Sequence, residues 1–129
     1  MSYKMGDAAR MSGVNIETIR FYEREGLFPR PPRTTTGRRI FSDDDIKTLR
    51  FLRNARELGF GLVEIQGLLA LRGPHNECAD VKAIAQKRLE AIRAEQARIN
   101  ESERLLSDAI AKCPGGRTNA CTLLALLES

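Results

Sequence analysis

The sequence predicts a mainly α chain. It reads as a winged helix-turn-helix head, a long helix that pairs antiparallel with a second copy, and a short C-terminal cysteine loop. Three observations predict this. Two short helical segments joined at Ser12-Gly13 precede a stretch rich in proline and arginine. A run without proline or glycine then extends from Asp80 to Lys112. Just after it, Cys113 and Cys121 bracket a segment holding Pro114, Gly115 and Gly116. The expected boundaries are 1–75 for the head and its connector helices, 76–112 for the dimerisation helix, and 113–129 for the loop and tail.

Taking the elements in order, MGDAARMSGV reads as a short helix with a small apolar face from Ala8, Ala9 and Met11. Asn15 is a good N-cap for a second helix, NIETIRFYEREG, because its side chain can accept from an orphan backbone N–H. Gly26 follows as the stop. Three prolines and three threonines in LFPRPPRTTTGRRIF exclude a helix there. That stretch reads as a small hairpin about Gly37, with Arg38, Arg39 and Phe41 on its second arm. A basic hairpin after a helix-turn-helix is the layout of a winged helix.

Ser42 opens a third helix, with Asp45 placed for a capping box and Asp43 and Asp44 suited to the positive helix end. Its expected buried side is Ile46, Leu49, Phe51, Leu52 and Ala55, and its expected stop is near Gly59. A fourth, GLVEIQGLLALR, is expected to pack Leu62, Ile65, Leu68 and Leu69 on the third, before Gly73-Pro74 breaks the chain.

The run to Lys112 is far longer than the usual helix of about 10–14 residues. Ala85, Leu89, Ile92, Gln96, Ile99, Glu103, Leu106 and Ile110 follow a 4-3-4-3 spacing, a heptad seam with two polar interruptions. The chain has no second helix of comparable length to cover that seam. A second copy is the simplest partner, so a homodimer is expected.

Charge is placed unevenly. Residues 1–72 carry 13 Lys/Arg against 9 Asp/Glu, whereas residues 73–129 carry 8 of each, so the net +4 lies wholly in the first part. Arg30, Arg33, Arg38 and Arg39 fall within 26–41, which has no acid. A patch of this kind attracts polyanions. At 42% hydrophobic and 29% charged the composition suits a soluble fold, no run approaches a membrane span, and MSYKMGDAAR lacks a signal h-region. A cytoplasmic chain with no membrane partner is expected. There is no Cys-x-x-Cys pair, no base–nucleophile constellation and no cofactor loop, so an enzyme is not expected.

The three cysteines are an odd number, which argues against a closed disulfide framework. Cys78 precedes the long helix and Cys113 follows it. A helical rise separates them by roughly 50 Å, so they cannot share a ligand within one chain. In an antiparallel dimer Cys78 of one subunit meets Cys113 and Cys121 of the other, giving two three-thiolate sites. Soft sulfur ligands select Cu(I), Zn(II), Cd(II), Hg(II) or Pb(II). Cys113 and Cys121 alone suit linear Cu(I); the third thiolate argues for a divalent ion. Zinc usually takes four ligands, and His75 is the one histidine available near Cys78.

ETIRFYEREGL at 17–27, GRRIF at 37–41, LRFLRNARELGF at 49–60 and CPGGRTNACTLLALLE at 113–128 resemble the MerR family of bacterial transcription regulators, along nearly the whole chain. The resemblance implies a dimer on an antiparallel coiled coil that binds promoter DNA and works with RNA polymerase. The metal-bound form distorts the promoter, which makes deformation energy the switch. By the same resemblance Arg20, Tyr22 and Arg24 look like DNA contacts, as does Arg39 in the wing. Tyr22 has packing in the core as its alternative. Arg38 stands where the family often has an aromatic, and Phe41 where a tyrosine is common. Loss of a hydroxyl at 41 and gain of a cation at 38 imply changed phosphate contacts.

A cysteine at 78 resembles divalent-ion sensors; copper, silver and gold sensors commonly have serine there. Zinc sensors tend to add a cysteine beside position 113 and a histidine in the loop, where this chain has Lys112, Pro114 and no histidine. Cadmium and lead sensors often carry histidine where Arg88 stands. AIAQKRL at 83–89 is similar to mercury sensors, although the loop between Cys113 and Cys121 is one residue shorter than theirs. The resemblance therefore implies a sensor of a thiophilic divalent ion, Hg(II) first, with Cd(II), Pb(II) or Zn(II) as alternatives and a thiol-based redox regulator as another.

Overall fold

The computed structural model describes every residue except 29–36, 38, 74–77, 114 and 117–120. The expected wing hairpin and Arg38 fall largely on those residues, and His75 falls there too. The chain forms two compact units, Met1–Ile84 and Ala85–Ser129.

In the first unit the order is β1 (Ser2–Tyr3), α1 (Met5–Ser12), α2 (Ile16–Arg24), β2 (Phe41–Ser42), α3 (Asp43–Glu57) and α4 (Leu62–Ala70). The two strands pair antiparallel, with Ser2 opposite Ser42 and Tyr3 opposite Phe41. α1 packs on α2 and α3, and α3 on α4. The core gathers Ile19 and Tyr22 of α2, Leu27, Phe28, Phe41, Ile46, Leu49 and Leu52 of α3, and Ile65 of α4. Phe28 and Phe41 stack with centroids 6.0 Å apart. Met11 and Leu62, expected on apolar faces, are exposed instead, and Ile16 is exposed as well.

The helix ends follow the sequence closely. Asn15 Oδ1 accepts from the Thr18 N–H at 2.8 Å. Ser42 and Asp45 form a full capping box, Asp45 N–H to Ser42 Oγ at 3.1 Å and Ser42 N–H to Asp45 Oδ2 at 2.8 Å. Two orphan donors are thereby satisfied reciprocally.

The turn between α1 and α2 is held from the side by α3. Arg50 donates through Nε and Nη2 to the Met11 carbonyl at 3.2 and 2.9 Å. Arg53 Nη1 donates to the Ser12 carbonyl at 2.9 Å. The last carbonyls of a helix lack intrahelical partners and carry the negative end of its dipole, so two guanidinium groups are well matched to them. Gly13 has φ 75°, and a Cβ there would overlap Arg53 Nη1. The position needs glycine twice over, for its left-handed backbone and for the room it leaves to the arginine.

Tyr3 donates its hydroxyl to Asp43 Oδ1 at 2.6 Å, tying β1 to the start of α3. That bond holds the Asp43 carboxyl below its ordinary 3.8, and it raises the Tyr3 phenol above its ordinary 10.0.

α5 (Cys78–Lys112) is one continuous helix of 35 residues, beginning two residues before the expected Asp80. Ala109 is its one buried residue. Leu89, Ile99, Leu106 and Ile110 of the predicted seam are 43–61% exposed. α6 (Thr122–Glu128), a short helix not expected from the sequence, carries exposed Leu124 and Leu127. No helix is long and apolar enough to cross a membrane among the described residues.

Gly13→Ala is expected to cost about 1–2 kcal/mol for the left-handed backbone alone, with a further loss because Arg53 must leave its carbonyl. Gly116→Ala, at φ 64° with nothing within 4 Å of a new Cβ, carries the backbone cost only. Thermal unfolding of both at one protein concentration measures the difference, and equal losses would remove the arginine cap from the account. Tyr3→Phe is expected to remove a contribution bounded at both ends of pH. A lowered folded-state pKa at Asp43 gives stability present above 3.8 and lost as pH falls through the folded value. A raised one at Tyr3 gives stability present below 10.0 and lost as pH rises through the folded value. The gap in Tm between wild type and Tyr3→Phe should be widest between those limits; a constant gap would refute the coupling.

Candidate nucleic-acid interface and metal centre

α2 turns Ile19, Tyr22 and Glu23 inward. Arg20 and Arg24 stay exposed. They are four residues apart and therefore neighbours on one face. Two cations side by side repel each other slightly in the free protein, and a polyanion relieves that repulsion. Tyr22 is 2% exposed, so its packing alternative is the arrangement found. Its ring lies 6.1 Å from Phe21, whose own ring carries the Arg56 guanidinium at 5.6 Å.

Tyr22 also lines a cleft with Gly13, Val14, Asn15, Thr18, Arg53, Arg56 and Glu57. The cleft opens at the N-terminal end of α2, where the helix dipole is positive. Arg53 and Arg56 add two cations, and Glu57 opposes them. Sequence reasoning had assigned these arginines no role. The signal was present in LRFLRNARELGF, where Arg53 and Arg56 fall outside the apolar stripe.

Arg39 faces α2 from the far side of the 29–38 segment. Its Nη1 lies 2.6 Å from Glu23 Oε2, with the two side chains 19% and 3% exposed. The pair is close in distance yet poorly aligned: among the described residues, Arg39 Nη1 and Glu23 Oε1 have no hydrogen-bond partner. A buried carboxylate without its counter-charge is strongly destabilising, so each side chain constrains the other. Arg39 is thus anchored to the back of the helix that displays Arg20 and Arg24.

The cysteines are all free thiols. Cys78 is the first residue of α5 and exposed; Cys113 follows its last residue and Cys121 precedes α6, both half-buried. The 35 residues of α5 amount to roughly 50 Å of helix between the first and second. Among the described residues of one chain, no three His, Cys, Asp or Glu side chains gather as a metal site. The donor set nevertheless fits a soft ion in its chemistry, because uncommitted thiols stand at both ends of one rigid element. At the C-terminal end two contacts fold the chain back on the helix. The Cys113 N–H donates to the Ile110 carbonyl at 3.1 Å, and the Thr122 hydroxyl to the Ala109 carbonyl at 2.6 Å.

Known proteins agree with this architecture. Residues 3–71 match the MerR HTH family of regulatory proteins, and residues 46–109 match the family described as MerR, DNA binding. The chain is 35% identical over 130 residues to the HTH-type transcriptional regulator ZntR of Escherichia coli K12, covering 98% of this chain and 92% of that protein. It is 36% identical to the mercuric resistance operon regulatory protein of Pseudomonas fluorescens, covering 96% and 86%. The crystal structure of the transcription regulator PbrR691 from Ralstonia metallidurans CH34 in complex with lead(II) superposes with a TM-score of 0.81 at 29% identity, covering 97% of this chain and 98% of that one. The chain belongs to the MerR family and is a metal-responsive transcription regulator of it, not an enzyme.

Proposed function

We propose that this regulator senses Hg(II) as a homodimer on promoter DNA, with two ion sites shared between subunits. Each site takes Cys113 and Cys121 from one protomer and Cys78 from the other. The observation that carries the reading is α5: one unbroken helix with a free thiol at each end and an exposed heptad stripe between them. Burying Leu89, Ile99, Leu106 and Ile110 against a second copy contributes about 1.5–3 kcal/mol for each fully buried side chain. Antiparallel pairing brings each Cys78 to the partner's loop.

Three thiolates suit Hg(II), and also Cd(II) or Pb(II), better than Zn(II), for which four ligands are usual. The similarity to the mercuric resistance regulator and to a lead(II)-bound structure supports a thiophilic divalent ion. The similarity to ZntR keeps zinc as the second reading. A bound ion supplies the cross-link between subunits; everything else is done by the chain. Arg20 and Arg24 meet DNA from the exposed face of α2, Arg39 and Arg38 belong to the wing, and Arg56 donates to backbone phosphate at the cleft. Bending or untwisting the promoter for RNA polymerase then depends on how the dimer spaces its two heads.

Titrating the reduced dimer with Hg(II), Cd(II), Pb(II), Zn(II) and Cu(I), and following thiolate absorption, should show up to two ions per dimer and loss of the divalent response in Cys78→Ser. Normal Hg(II) binding and response by that variant would sink the three-sulfur site. A mixed dimer of one Cys78→Ser subunit with one Cys113→Ser subunit tests sharing. Sites built from both chains leave one intact site, and sites built within one chain leave none. For the DNA face, Arg20→Ala is expected to weaken operator binding and to flatten its salt dependence by about one phosphate per subunit. An unchanged slope would remove Arg20 from the phosphate contacts.

A further inference from the structure

The last turn of α5 presents carbonyls with no partner inside the helix. Two adjacent ones are taken by residues at the two ends of the cysteine loop. The Ile110 carbonyl accepts the N–H of Cys113 at 3.1 Å, and the Ala109 carbonyl accepts the hydroxyl of Thr122 at 2.6 Å. Ala109 is the one buried residue of α5, so its carbonyl has poor access to water and needs a protein donor. Thr122 directly follows Cys121, whose own carbonyl accepts the Ala125 N–H at 3.0 Å as the first bond of α6. Cys121 is therefore held from its C-terminal side twice over, by the start of α6 and by the Thr122 side chain. Gly115 and Gly116, at φ 74° and 64°, supply the left-handed backbone that lets the chain reverse after Cys113. Threonine is suited to the task, since its branched Cβ restricts χ1 and fixes the hydroxyl direction.

We propose that Thr122 is a positioning residue for the metal site: its hydroxyl latches Cys121 to the same helical turn that ends in Cys113, so the two sulfurs are set near each other before any ion arrives. The inference rests on the site proposed above, in which these two cysteines act together. Binding that closes a loop forfeits affinity to the ordering of that loop, and a latch made beforehand reduces the loss. The exposed neighbours Leu124 and Leu127 do not share this role, because they touch no carbonyl of α5 among the hydrogen bonds of the described residues.

The test uses the full-length reduced dimer in the Cys78→Ser background, which leaves the two loop thiols. Phenylarsine oxide bridges two thiols with release of one water, and so reads their proximity without the third sulfur. Thr122→Val, which keeps the shape and removes the donor, should lower its affinity about two- to tenfold, the range expected for one net hydrogen bond. Thr122→Ser, which keeps the donor, should restore it. With Cys78 present, Hg(II) competition against a soluble dithiol should follow the same order. Equal arsenical capture by wild type and Thr122→Val overturns the latch, as does a loss that serine does not restore. Thr122→Ala replaces valine as the donor-free variant if helix content falls. Failure of the metal-site reading looks different: Hg(II) then produces no thiolate band in any variant, while arsenical capture still ranks Thr122 against Val and Ser.

Discussion

The structure depends on a length mismatch. α5 runs for 35 residues, and no other helix among the described residues is long enough to lie along it. A helix of that length with an apolar stripe on one side is not stable as a lone rod in water, because most helical stability in proteins comes from packing the amphipathic face. The stripe calls for a cover, and in the proposed dimer a second copy supplies it. If the helices pair antiparallel as proposed, the ends of the element become functional places. Thiols too far apart to act together within one chain then come within reach across the pair. On that proposal dimerisation and sensing follow from the same geometric fact.

The head solves a different problem, which is to hold α2 on a core of a dozen buried apolar side chains among the described residues. It does so with arginines used as struts. Arg50 and Arg53 reach from α3 to the carbonyl end of α1, and Arg39 reaches to Glu23 on the buried side of α2. Each bond ties an element to a neighbour distant in sequence. The basic excess of residues 1–72 is thus only partly available to DNA. Some of it is spent inside the fold; Arg20 and Arg24 on α2 and Arg56 at the cleft are the cations left to meet a phosphate backbone in the proposed complex.

Most local decisions could be read from the chain because their physics is local. The Asn15 cap, the Ser42–Asp45 box, and the left-handed glycines at 13, 26 and 59 each involve residues within one turn. The continuity of α5 was legible because no proline or glycine interrupts it from Asp80 to Lys112. The pairing of β1 with β2 was not, since two-residue strands have no pattern and their partners lie forty residues apart. α6 escaped for a similar reason: seven residues cannot show a helical period, and TLLALLE reads equally well as a loose apolar tail. Tyr22 could not be assigned from its type, because a tyrosine suits a core and a phosphate alike; the fold places it in the core. The two ends of the cysteine loop were visible, but the Thr122 contact that fastens one of them was not. It depends on where a side chain thirteen residues downstream of Ala109 returns to the helix.

The two ends of α5 are electrically unlike, and this bears on how an ion could act as a signal. Cys78 sits at the positive end of the helix dipole. Cys113 and Cys121 sit at the negative end, which favours a cation beside them. In the proposed antiparallel dimer these opposite ends adjoin, so their fields largely cancel and the helices themselves do little to gather three thiolates. The charge of a divalent ion then supplies most of the attraction that brings Cys78 to the partner's loop. A site organised in this way distinguishes sharply between bound and free states, since one member comes from a different subunit and is not latched to the other two. On that proposal the two loop cysteines are the prepared part and Cys78 is the part that joins them when the ion binds.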